Sequence, residues 1–116
     1  MTVYWVVWDA AAAWLVDALD AEGALPAVRR LRRTGIRASA RPPAPNCQTP
    51  AALATLFTGT GTDTHRVTGF DLPGGPDQPV EWQRSGFEPG VLAAEPVWQA
   101  ARAAGLRTAF VHVPWV

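Results

Sequence analysis

Residues 3 to 10 read VYWVVWDA, and the way this octet folds decides the architecture. Val3 to Trp8 form an unbroken apolar run rich in β-branched and aromatic side chains. A strand with one wet face would alternate polar and apolar residues. An unbroken run instead predicts a parallel strand covered on both faces. Asp9 then falls at the strand's carboxyl end, the edge along which open α/β sheets bind their ligands.

Working outward, Ala11 to Ala21 predicts a helix with Trp14, Leu15, Ala18 and Leu19 at helical spacing, closed by Gly23. Leu25-Pro26 opens a second helix through 26–34. Proline is tolerated at the start, Val28 and Leu31 face inward and Gly35 is the stop. Residues 36–40 alternate like a short strand. The prolines of 41–48 exclude regular structure, and Thr49-Pro50 opens a helix over 50–58. Residues 60–92 carry Gly and Pro without a sustained period, the signature of a long loop or lid. A helix over 96–104 and a strand over 107–113 complete the chain. This order predicts one α/β domain with a parallel sheet and helices on both faces. RTAFVHVPWV, residues 107–116, reads as a buried strand running to the last residue. The expectation is therefore the N-terminal part of a longer domain.

Composition bounds the function. The chain has 116 residues, 48% of them hydrophobic and 17% charged, which is globular composition. Ten arginines balance ten acidic residues, and lysine is absent. A net charge of zero gives no electrostatic case for a nucleic-acid duplex or an anionic membrane. A single cysteine, Cys47, excludes an internal disulfide and a cysteine-based zinc site. No apolar run reaches the length of a membrane span, and the N-terminus reads as a strand, not a signal peptide. The expected location is the cytoplasm.

Chemistry concentrates in NCQTPAALATLFTGTGTDTH, residues 46–65. Thr49 fits a helix N-cap with Pro50 as the first helical residue. Its hydroxyl has two readings. It caps an orphan backbone N–H, contributing about 1 kcal/mol, or it is a nucleophile at a helix end that attracts phosphate. A threonine attacks phosphorus only when its pKa is lowered, usually by a metal ion, and Asp9 is a suitable hard oxygen ligand. Spacing alone leaves both readings open.

VVWDA, LPAVRRLRRTGI and NCQTPAALATLFTGTGTDTHRVTGF together resemble the N-terminal third of the alkaline phosphatase superfamily, in its type I phosphodiesterase/nucleotide pyrophosphatase branch. That branch shows a strand ending in Asp-Gly, a "LPNLxxLxxxG" segment, a Thr or Ser nine residues before a Thr-Gly, and "PxxHG". Here Asp9, Leu25-Pro26 with Gly35, Thr49 nine before Thr58-Gly59, and His65 hold the order and spacing. The resemblance implies an alkaline-phosphatase-like fold and phosphate ester hydrolysis. It makes Thr49 a transiently phosphorylated nucleophile and metal ligand, and Asp9 a metal ligand. It also implies two divalent ions, usually zinc, and a small phosphate ester as substrate. The family's remaining Asp and His ligands come from later strands.

Four positions depart from the pattern. Ala10 stands for Gly, Thr62 for Pro, Arg66 for Gly, and Phe70 for an Asn that helps bind the phosphoryl oxygen. A sulfatase reading fails on register, because Cys47 lies two residues before the nucleophile position; the expectation is a thiol buried in its loop. His65 is expected to be a structural hydrogen-bonder and His112 a satisfied strand histidine. Asp63 and Asp71 read as surface or supporting groups, and Trp82 as a weak candidate for stacking. Trp5, Trp8, Trp14 and Trp98 are expected in the core. Two further readings stand beside hydrolysis: an incomplete superfamily fragment acting as an interaction module, and another reaction of the superfamily such as phosphomutase or phosphonate hydrolysis.

Overall fold

Proline-opened, glycine-closed segments set the frame. The computed structural model describes residues 2–41, 47–74, 77, 79 and 83–116. Among them run α1 (Ala13–Ala21), α2 (Pro26–Thr34), α3 (Thr49–Thr58), α4 (Thr62–His65), β1 (Asp71–Pro73), β2 (Gln83–Ser85) and α5 (Val97–Ala103). The chain divides into two compact units, Met1–Ala40 and Arg41–Val116.

In the first unit, Pro26 occupies the first turn of α2, where its missing N–H is no loss. Gly23, at φ +82°, turns the chain out of α1 and donates its N–H to the Asp20 carbonyl. Charge ties the two helices together. Arg32 sends Nη2 to Asp17 Oδ1 and Nη1 to Asp20 Oδ2, each at 2.7 Å. Arg29 Nε reaches Asp20 Oδ1 at 3.1 Å and also donates to the Asp20 carbonyl. Arg37 holds the other Asp17 oxygen at 2.7 Å. Hydrogen bonds from Arg32 and then Arg37 hold the Asp17 carboxyl below its ordinary range. No residue of α1 or α2 is buried. Leu31, expected inward, is exposed, as are Trp5, Trp8 and Trp14.

The second unit holds the core. On α3, Pro50, Ala51, Ala54 and Phe57 form the buried stripe at helical spacing. Ala54 packs with Val67, Leu72 and Val91, and Leu92 and Trp115 lie against them. Trp98, half-buried on α5, meets Phe57 edge-on at 5.3 Å and Phe110 at 5.7 Å between ring centroids. Residues 60–92, expected as one long loop or lid, instead supply α4, both strands and three of those four core residues. Three-residue strands are too short to show a period in sequence.

The parallel sheet with helices on both faces is not present among the described residues. The ladder there is antiparallel and short, pairing Asp71 with Ser85, Leu72 with Arg84 and Pro73 with Gln83. Residues 3–8, 36–40 and 107–113 form no strand. Val3, Tyr4, Val6, Ile36 and Val111 are exposed. An apolar run records how much cover a segment needs; a ladder further needs partner backbones about 4.8 Å away, and nothing in the run specifies them. No helix among the described residues is long and apolar enough to cross a membrane.

Candidate functional site

Thr49 is the first residue of α3, and Gln48, not Thr49, is the N-cap. The ladder begins where the Ala52 N–H meets the Gln48 carbonyl at 3.0 Å. Pro50 has no N–H to offer, so Thr49 and Ala51 carry the donors that the helix's own ladder leaves over at this end. Neither Thr49 nor Gln48 makes a side-chain capping bond. The Thr49 hydroxyl is half-buried and makes no hydrogen bond among the described residues. It stands at the positive end of a 10-residue helix, so the capping role open to it in sequence is not the one it takes.

The start of α3 is fixed from the side. Gln48 Oε1 accepts the N–H of Phe70 at 2.8 Å. The Phe70 carbonyl in turn accepts the Gly86 N–H at 2.7 Å. A side chain at Gly69 would collide with Gln48 Oε1, and one at Gly86 with the Gly69 carbonyl and Pro50. Phe70 is half-exposed and meets Phe87 edge-on, and Phe87 meets Trp115. The far end of α3 is equally defined. Gly59, at φ +68°, is its C-cap, and its N–H bonds to the Thr55 carbonyl at 2.9 Å. The spacing from Thr49 to Thr58-Gly59 is therefore the length of α3 itself.

His65 is fully buried and structural, as its place in the sequence led us to expect. Its Nδ1 accepts the Val67 N–H at 3.1 Å, which leaves Nε2 to carry the proton toward Thr55 Oγ1 at 3.0 Å. Burial pushes its pKa below the ordinary value, against a smaller opposing pull from Asp63. Both ring nitrogens are engaged, so this imidazole is no metal ligand in this arrangement.

Among the other candidates, Asp9 belongs to the first unit, is exposed, and accepts the N–H of Ala10 at 3.0 Å. Cys47 is exposed, not buried as expected, and so is Gln48 beside it at the surface start of α3. His112, expected within a strand, is exposed in a bend at φ +53°. Asp63 and Asp71 are exposed, and Trp82 lies outside the described residues. An open cleft of about 270 Å³, lined in part by Leu92, Glu95, Gln99 and Trp115, includes neither Asp9 nor Thr49. Among the described residues, no three His, Cys, Asp or Glu side chains converge as a metal site. One carboxylate and one hydroxyl supply only two of the donors that a pair of zinc ions requires.

Gln48 is what a sequence reading of this site misses. A glutamine before a helix has no strong capping preference, and its partner, Phe70, lies 22 residues on. No curated protein and no solved structure matches the chain significantly. The family model for type I phosphodiesterase/nucleotide pyrophosphatase matches residues 3–115, which is nearly the whole chain. The chain belongs to the type I phosphodiesterase/nucleotide pyrophosphatase family, in keeping with the alkaline phosphatase superfamily.

Proposed function

We propose that this chain hydrolyses small phosphate esters, phosphodiesters of the nucleotide pyrophosphatase type, with Thr49 as the nucleophile. The observation that carries the reading is the Thr49 hydroxyl, unengaged among the described residues at the first position of a helix clamped at both ends. Thr49 Oγ1 forms the new bond to phosphorus while the bond to the leaving alkoxide breaks, the hydroxyl proton passing through solvent to the departing oxygen. The backbone donors and partial positive charge of the α3 N-terminus favour the phosphoryl oxygens. Water then cleaves the threonine ester and restores the hydroxyl. By the family resemblance, Asp9 and Thr49 are each proposed as metal ligands, and two divalent ions, usually zinc, as the cofactors. Because the described residues do not complete their ligand set, no step is assigned to them.

Thr49→Ala tests the reading in the protein supplied with zinc or manganese and bis(p-nitrophenyl) phosphate. Turnover should fall on the order of 10³-fold, with the far-ultraviolet dichroism unchanged because Thr49 caps nothing. Undiminished turnover in the variant overturns the assignment.

The lack of three convergent ligands among the described residues favours a second reading, a catalytically incomplete member serving as an interaction module. Metal analysis of the purified protein separates the two. Stoichiometric zinc or manganese excludes the second reading.

A further inference from the structure

A glutamine at an N-cap that does no capping needs another account. Gln48 is fixed at both ends, its carbonyl by the Ala52 N–H and its Oε1 by the Phe70 N–H at 2.8 Å. The Phe70 backbone is itself held on its other side, because its carbonyl accepts the Gly86 N–H at 2.7 Å. Trp115 Nε1 closes the series by donating to the Gly86 carbonyl at 3.0 Å. Gly69 is the cradle for this arrangement, since a Cβ there would collide with Gln48 Oε1 where it now sits. Its φ does not demand glycine, so close approach is the reason for glycine here. Gly86 has the same reason, since a Cβ would strike the Gly69 carbonyl and Pro50.

We propose that Gln48 is the positioning residue for Thr49. The inference rests on the hydrolase reading and adds what holds the nucleophile in place. Gln48 is one peptide bond from Thr49, so locking its backbone and its side-chain tip fixes the origin of the Thr49 side chain. The lock is neutral. Its effect is geometric, and a displacement of about 1 Å at a nucleophile costs about 10²-fold in rate.

Three variants and one control test it on bis(p-nitrophenyl) phosphate. Gln48→Met keeps the length and removes the acceptor; Gln48→Glu keeps an acceptor oxygen; Gly69→Ala fills the cradle; Thr49→Ala is the control. Gln48→Met and Gly69→Ala should each lower kcat by about 10- to 100-fold with KM unchanged. The double variant should be no worse than either single one, because both remove the same contact. Gln48→Glu should recover most of kcat, its added charge acting through KM. Full kcat in Gln48→Met while Thr49→Ala is inactive overturns the proposal and leaves the hydrolase reading standing. Equal loss of kcat in Gln48→Met and Gln48→Glu also overturns it. If Thr49→Ala retains turnover, the hydrolase reading has failed instead. Should Gln48→Met not fold, Gly69→Ala alone decides, and undiminished kcat there is fatal.

Discussion

Ala10 and Arg66 occupy positions where the family pattern has glycine, and both sit in the left-handed region, at φ +57° and +66°. The departures are therefore chemical only, and the backbone keeps the turn that glycine would adopt freely. Arg66 is the C-cap of α4, and its N–H bonds to the Thr62 carbonyl at 3.0 Å. An L side chain in this conformation costs about 1–2 kcal/mol, partly offset by the greater freedom of glycine in the unfolded chain. Arg66→Gly should raise stability by about 0.5–1 kcal/mol in urea denaturation. Ala10→Gly should act in the same direction. A loss of stability in Arg66→Gly would mean that its side chain contributes more than the turn costs.

At the scale of elements, α3 and α4 are joined through a buried imidazole, and this gives the second unit a pH response. His65 is neutral in the fold because burial depresses its pKa, with its Nδ1 occupied as an acceptor. The unfolded chain binds a proton there near pH 6.5, which the folded chain resists. The stabilisation is complete above that pH and is lost as pH falls from it toward the depressed folded value. Asp17 also has a lowered pKa, but from 3.8, so its contribution fades only in more acidic solution. Denaturation midpoints should therefore drop as pH falls below about 6.5. A His65→Gln variant, less stable by about 1–3 kcal/mol, should show a flatter response across that window. An unchanged slope in the variant would assign the pH dependence to another group.

For the whole molecule, much of the apolar sequence faces solvent. Trp5, Trp8 and Trp14 are 50%, 60% and 73% exposed, whereas Trp98 is packed between Phe57 and Phe110. Variants that keep one tryptophan should show red-shifted, iodide-quenchable emission for Trp5, Trp8 or Trp14, and shielded emission for Trp98. Shielding of Trp5 and Trp8 would instead indicate the covered strand that VYWVVW predicts. Several features needed no coordinates. Local signals placed α2 at Pro26–Thr34 and brought α1, α3 and α5 within two residues of their ends, because Pro, Gly and the helical period act over a few residues. The resemblance also marked the interval from Thr49 to Thr58-Gly59, which is the length of α3. Tertiary structure alone decided that the apolar runs join no ladder among the described residues, that a supposed loop carries most of the core, and that Thr49 starts its helix without capping it. It also decided that Gln48 reaches Phe70, 22 residues away. These are contacts between distant segments, and a sequence records each segment's demand for cover without recording which partner supplies it.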